Sequence, residues 1–332
     1  MHFNIFDHAS PQLVDWLRGT TQTTEVFADT RLIEEGQRCK GMFIVENGSL
    51  QVRTSQETGV SLEMAELGPG SLVGDMSWLE SRPAVADVIA LRGSRIVHIA
   101  ADVLDRLNQG LDPIAPLLHQ AIGTKLSLQI QSQNAWIHRF AASPQEPLRK
   151  VLVLFADLNE QDIEWLRQIG QLQRLKPGDV LLQQGQAVPS LYLLLAGEAR
   201  IQIKSEGRLH VVGSSRRGEL LGEMTLLNPK GTSASAQVDA PDGMEVLRID
   251  KGELLAGLAC DVGRATRFWR ALARMLSQRS RDQLLERGLA ATSRRAEQER
   301  NDDEIDLKQL STISIAGNRF DWLCRQFQDQ VG

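Results

Sequence analysis

Two stretches of this chain carry the residue types of an anion cradle. Gly70-Ser71-Leu72-Val73-Gly74-Asp75-Met76-Ser77-Trp78-Leu79 returns about 149 residues later as Gly218-Glu219-Leu220-Leu221-Gly222-Glu223-Met224-Thr225-Leu226-Leu227. In each, a glycine and an acid precede a short apolar helix start. A helix N-terminus points unpaired N–H groups and the positive end of its dipole at a phosphate. Glycine lets the backbone approach closely. Gly74, Asp75 and Met76 in the first stretch, and Gly222, Glu223 and Met224 in the second, are therefore the candidate ligand-binding residues. Downstream, Thr232, Ser233 and Ser235 add hydroxyls that suit a smaller or less charged ligand; their other use is as local turn caps.

Catalytic chemistry finds no comparable pattern. The six histidines stand apart, with no His-x-His or His-Glu-x-x-His spacing, so a metal site is not expected. Cys39, Cys260 and Cys324 form no Cys-x-x-Cys and point to a reducing cytoplasm. There is no Gly-x-Ser-x-Gly, no Walker loop and no His-linked nucleophilic cysteine. The expectation is a protein that is not an enzyme and has no catalytic residues.

The elements that position these turns repeat with them. Trp16-Leu17-Arg18 matches Trp165-Leu166-Arg167, and Leu32 to Gln37 matches Leu181 to Gln186. Ala86-Asp87-Val88 matches Ala236-Gln237-Val238. Each copy reads as a helix, several short strands, then helices. Met42 to Val45 and Leu50 to Arg53 flank Asn47-Gly48, whose positive φ predicts a tight hairpin. Leu191 to Leu195 and Ala199 to Ile203 flank Ala196-Gly197-Glu198 in the same way. Short strands with closely spaced turns predict a mainly β fold with flanking helices: two jelly-roll-like β-rolls in tandem. Amphipathic helices follow each roll, through Leu117, Leu118, Ile122 and Leu126 and through Phe268, Leu272, Met275 and Leu276. The expected domains are residues 1–140 and 150–290, each a roll with its trailing helix, joined by a proline-containing linker at 141–149. A charged linker and a terminal amphipathic helix at 291–332 complete the chain.

On these residues the chain resembles the cyclic nucleotide-binding domain family, over roughly residues 3–130 and 150–285. The family's phosphate-binding cassette reads approximately Gly-Glu-(Met/Leu/Ile)-(Ala/Ser/Gly)-Leu, a variable turn, then Arg-(Ser/Ala)-Ala-x-Val. The resemblance implies that Glu223 accepts a hydrogen bond from the ribose 2′-hydroxyl, with Asp75 a shorter substitute in the first copy. It also places the family's phosphate-binding arginine at Ala84 and Ala234, so both copies lack that cation. A hydrogen bond to a charged group contributes about 1.5–3 kcal/mol, so its loss weakens binding by roughly one to two decades. The implied ligand is cAMP or cGMP, held weakly and in the second copy; no other cofactor is implied. Arg82 and Lys230 lie nearby as substitute cations. The structural alternative is that Gly74-Asp75 and Gly222-Glu223 persist only as the turn that shapes each roll.

The formal net charge of −5 over 332 residues gives no reason to expect nucleic acid. The arginines between Arg264 and Arg300 read as a solvated helix face. Met1 to Asp7 has no basic region ahead of an apolar one, so no signal peptide is read. The apolar runs are too short to span a bilayer, and a cytoplasmic location is expected. No Arg-Arg-x-Ser-like inhibitor segment precedes the first roll, so the role of a kinase-inhibiting subunit is not expected. The leading expectation is a regulatory or adaptor protein. The rival is a ligand-free module that docks on a larger transport or secretion assembly. Its basis is the double loss of arginine and the terminal stripe of Phe320, Trp322, Leu323 and Phe327, which must dock on this chain, on a protein partner or on a second copy.

Overall fold

The computed structural model describes residues 3–55, 61–91, 93–109, 111–137, 153–205, 207–227, 234–286 and 307–328. The expected linker at 141–149, the segment with Lys230, Thr232 and Ser233, and the charged run ahead of Leu307 lie outside the described residues. The chain forms two compact units, residues 1–126 with 276–306 and residues 127–275 with 307–332. The divisions fall within the long helices Ile114–Ile137 and Val262–Glu286.

In the first unit, Ser10 caps the helix Pro11–Thr20: its hydroxyl accepts the Leu13 N–H at 3.3 Å, ahead of a proline whose φ suits the first turn. Leu13 and Leu17 bury the inward face of that helix. Eight strands follow in two antiparallel sheets of four. One runs in the order Gln22–Val26, Ser94–Ala100, Gly41–Asn47, Leu72–Val73; the other Arg31–Ile33, Asp87–Ala90, Leu50–Ser55, Ser61–Leu67. Ile33, Val45, Leu50, Val73, Val88 and Ile96 fill the core, and Ala84 is buried among them.

The second unit repeats the plan with seven strands. Its opening helix, Glu160–Ile169, starts in a capping box in which Asn159 and Asp162 each bond the other's backbone N–H, at 2.9 and 3.0 Å. Leu182, Val188, Tyr192, Leu194, Val238 and Val246 form its core, and Ala234 is buried with them. The β-roll expectation thus holds in both units.

The predicted hairpins are not hairpins. Leu191 to Leu195 and Ala199 to Ile203 belong to one strand, Ser190–Ser205. Its first half pairs with Met244–Asp250 and Leu220–Leu221, its second with Arg208–Arg216 and Gln237–Asp239. The register slips between Leu194 and Ala196. Gly197 follows at φ +85°, where an added Cβ would sit 2.6 Å from the Gly243 carbonyl oxygen. The glycine serves a corner at which one strand passes between sheets. The first unit does the same: Gly41–Asn47 and Leu50–Ser55 lie in different sheets, with a slip between Val45 and Asn47. A positive φ serves a hairpin and a corner equally, which is why the sequence pattern misled.

One helical expectation changes and another is narrowed. The arginines of Val262–Glu286 are not a solvated face. In the second unit Arg267 grips the buried Asp162 with two bonds, at 2.6 and 2.9 Å, and Arg270 and Arg274 bind Asp157 at 3.1 and 3.0 Å. The terminal helix Leu307–Gln328 packs on its own unit: the Phe320 ring lies 4.9 Å from Phe155, and Arg319 donates to the Phe155 carbonyl at 3.1 Å. Phe320, Leu323 and Phe327 are buried there, whereas Trp322 is 39% exposed. Among the described residues no helix is long and apolar enough to cross a membrane.

Candidate functional site

Each glycine-acid turn sits where a two-residue strand gives way to a short helix. In the first copy Leu72–Val73 is followed by Gly74 at φ +88° and the helix Asp75–Glu80. An added Cβ on Gly74 would lie 2.7 Å from the Gly41 carbonyl oxygen, so only glycine fits. In the second copy Leu220–Leu221, Gly222 at φ +85° and the helix Glu223–Leu227 repeat the geometry.

The first acid is ion-paired through one oxygen, and its Oδ2 is buried without a hydrogen-bond partner. Asp75 is 2% exposed, and its Oδ1 lies 2.5 Å from the Lys125 Nζ on the helix Ile114–Ile137. Met76 beside it is half-buried. The far end of the same turn is tied as well. The Glu80 carboxylate accepts the Arg281 Nε–H at 2.8 Å and the Ser277 hydroxyl, and the Arg281 Nη1 donates to the Pro83 carbonyl at 3.0 Å. Burial pushes the Glu80 carboxyl above its ordinary range, against the pull of Arg281. Arg82, considered as a substitute cation, lies 3.8 Å from Glu80.

The second acid is held differently. Glu223 is buried, and Lys251 lies within electrostatic reach of it. The Lys251 Nζ donates to the Val188 carbonyl at 2.5 Å and to the Thr225 hydroxyl, which itself donates to the Gly222 carbonyl at 2.8 Å. Burial pushes the Lys251 pKa down, with Glu223 pulling it up. The Ser127 hydroxyl lies 3.6 Å from the Met224 sulfur. Ser235 is exposed; Thr232 and Ser233 lie outside the described residues.

Ala84 and Ala234 occupy matching places. The Ala84 carbonyl accepts the Gly36 N–H at 2.9 Å and its N–H donates to Gln37, while Ala234 makes the same pair of bonds, at 2.8 Å each, with Gly185 and Gln186. Both side chains are in the apolar core. Around them the copies differ in charge. In the first, Glu35 precedes Gly36 and its N–H donates to the Asp87 carboxylate at 2.7 Å. Arg53 is the strand partner of Asp87, and Arg31 lies 3.6 Å from Glu34 and 3.8 Å from Asp87. The second copy has Val180, Gln183, Gln184, Gln202 and Gln237 at the corresponding positions. Gln202 and Gln237 are strand partners, and the Gln237 amide donates to Gln202 at 3.4 Å.

Lys125, Lys251, Glu80 and Arg281 were not singled out by sequence reasoning. Lys125 carried a signal: it is the lone charge between Ile122 and Leu126 in an apolar helix. Arg281 carried none, being about 200 positions from the carboxylate it binds.

Comparison with known proteins agrees with the architecture. Residues 24–109 and 172–259, just over half of the chain, match the family model described as cyclic nucleotide-binding domain. A cGMP-dependent protein kinase, egl-4, of Caenorhabditis briggsae is 26% identical over 222 residues, covering 66% of this chain and 25% of that protein. A cAMP-dependent protein kinase regulatory subunit of Mycosarcoma maydis is 23% identical over 225 residues, covering 64% of this chain and 38% of that protein. The chain thus spans well under half the length of both relatives. The crystallised regulatory domain of Toxoplasma gondii PKA with cAMP aligns over 77% of this chain and 92% of that one, at 18% identity and a TM-score of 0.30. With two matched copies on two β-rolls, the chain belongs to the cyclic nucleotide-binding domain family.

Proposed function

We propose that this chain is a non-enzymatic regulatory or adaptor protein, located in the cytoplasm, whose second β-roll senses a cyclic nucleotide and whose first is a ligand-free scaffold. The observation that carries the asymmetry is the buried ion pair of Asp75 with Lys125 at 2.5 Å. The Lys125 ammonium already neutralises this carboxylate through Oδ1, which lowers its worth as an acceptor for a ribose hydroxyl, although Oδ2 is buried with no hydrogen-bond partner. Glu223 keeps the family's longer acid on a turn of the same geometry, and Lys251 beside it is bound to neutral oxygens. The second copy is therefore the one that takes cAMP or cGMP, through Gly222, Glu223, Met224 and the hydroxyls of Thr232, Ser233 and Ser235. With Ala234 in place of the family's arginine, that binding is weak.

Calorimetry with cAMP and cGMP tests this. Wild-type protein should give a weak, saturable heat that Glu223→Ala abolishes and Asp75→Ala leaves intact. Equal losses in the two variants would refute the asymmetry. No heat and no melting shift at millimolar nucleotide would leave the ligand-free docking module as the function of both copies. That second reading draws on the Ile315 and Trp322 side chains, exposed seven residues apart on the terminal helix as a surface for a protein partner or a second copy.

A further inference from the structure

In each roll one sheet ends on an edge strand. Among the described residues Arg208–Arg216 pairs only with Ser190–Ser205, and its counterpart Ser61–Leu67 pairs only with Leu50–Ser55. The outer side of such a strand offers backbone N–H and C=O groups to any other extended chain, and charged side chains are a common guard against that. The first edge is guarded: Glu63 stands opposite Arg53 and Glu66 opposite Gln51, and both glutamates are exposed. The matching places of the second edge hold Val211, opposite Gln202, and Ser214, opposite Arg200. Leu209, opposite Lys204, stands where the first edge has Ser61 opposite Ser55.

Leu209 is 46% exposed and Val211 61%. They are two positions apart, so both lie on one face of the strand. The charge along the edge is reversed as well. From Gln56 to Pro69 the first copy has Glu57, Glu63 and Glu66 and no lysine or arginine, whereas from Lys204 to Arg217 the second has Lys204, Arg208, Arg216 and Arg217 against Glu206 alone. Arg217 is engaged by Asp321 at 2.8 Å, but Lys204 and the two arginines that end the strand are exposed. Among the described cross-strand partners of Arg208–Arg216 the only acid is Glu198, opposite Arg216. A second copy added antiparallel along the whole strand would set Arg208 against Arg216 at both ends, and like charges directly opposite are destabilising. We propose that Arg208–Arg216 is a strand-addition site for an extended acidic segment of a protein partner. Backbone pairing along the edge supplies the affinity. Apolar residues at alternate positions of the segment lie on Leu209 and Val211, and its carboxylates meet Lys204, Arg208 and Arg216. The site goes beyond the nucleotide reading and does not depend on what Glu223 binds.

The probe is the synthetic peptide Glu-Val-Asp-Val-Glu-Val-Asp, titrated into the full chain by fluorescence anisotropy and followed by amide hydrogen exchange. The expected result is saturable binding that slows exchange at alternate amides of residues 208–216. A peptide with lysine in place of each acid should bind about tenfold or more weakly. N-methylation of the peptide's backbone amides keeps every charge and removes the pairing donors, and should abolish binding. Val211→Glu, which writes the first edge's Glu63 into the second, should weaken the acidic peptide by about tenfold or more. Binding that survives N-methylation or Val211→Glu, exchange at residues 208–216 that does not change, or no binding at millimolar peptide each overturns the proposal. Slowed exchange at the same amides on concentrating the chain alone would make a second copy the occupant and overturn the acidic partner. The peptide series on the wild type needs no variant, so a misfolded Val211→Glu does not protect the proposal. Calorimetry of Val211→Glu with cAMP and cGMP should match the wild type, which reads the strand site and the sensor separately.

Discussion

In the first roll the glycine-acid turn is fastened at both ends by buried ions: Asp75 to Lys125 at its start, Glu80 to Arg281 at its finish. The strands and the turn that follow the same plan carry Arg31, Glu34, Glu35, Arg53 and Asp87. In the second roll the same backbone turn is held by a lysine bound to a carbonyl and a hydroxyl, and valine and glutamines stand at the matching positions, with Arg200 paired to Asp239 on the same strands. Gly74 and Gly222 have nearly equal φ, so the backbone does not distinguish the copies. The side chains do. The duplicated cradle keeps its shape twice, while the acid of one copy is ion-paired to Lys125 and that of the other lies near a lysine bound to neutral oxygens. The shape of the turn therefore follows from glycine and core packing, and the charges laid over it differ between the copies.

The sharpest way to break this comparison is at Arg281. Both Arg281 and Glu80 have side chains 1% exposed. Arg281→Met leaves the Glu80 charge buried without its guanidinium and should destabilise the chain by about 3–5 kcal/mol. The double variant Glu80→Leu with Arg281→Met should cost far less, because two apolar side chains replace a desolvated pair. Urea unfolding of the three proteins measures both numbers. A double variant as unstable as the single one would show that packing, not charge, fastens the turn.

A smaller effect separates the two lysines. Lys125→Met strands a buried Asp75 carboxylate and should cost about 3 kcal/mol. Lys251→Met removes a donor from a neutral carbonyl and a hydroxyl, at about 1–2 kcal/mol. The difference, read from the same unfolding curves, is the energetic form of the contrast between the copies. Equal costs would mean that Glu223 is as firmly ion-paired as Asp75, and the reason for assigning the ligand to the second copy would be gone.

The roll itself was legible in the sequence because it is written locally: short apolar runs, a glycine at most of the positive-φ positions, and the same order twice. The turns were legible for the same reason. Their electrostatics were not. Lys125 is 50 positions from Asp75 and Arg281 about 200 from Glu80, so neither pair has a local spacing to reveal it. The arginines of Val262–Glu286 looked solvated because their acids, Asp157 and Asp162, lie more than 100 positions away. The corners at Gly48 and Gly197 were misread as hairpins because local sequence fixes a φ value but not which strand the next residues will pair with.

The least disruptive probe asks whether the charged set of the first roll is a network or a collection of surface ions. Arg31 is about half exposed, and its nearest carboxylate atoms, on Glu34 and Asp87, are 3.6 and 3.8 Å away. Pairs of that exposure contribute about 0–1 kcal/mol. Arg31→Val, which writes the second copy's residue into the first, should therefore change stability by no more than about 0.5 kcal/mol, and raising the salt concentration should erase even that. Thermal unfolding at low and high ionic strength gives the answer. A cost above about 2 kcal/mol that persists in salt would mean that Arg31 holds Asp87, and through it the Glu35 backbone, in a cooperative arrangement. The first copy's charges would then be structural as far as the rim of the roll. The second copy, with valine and glutamines at those positions, would then lack that support.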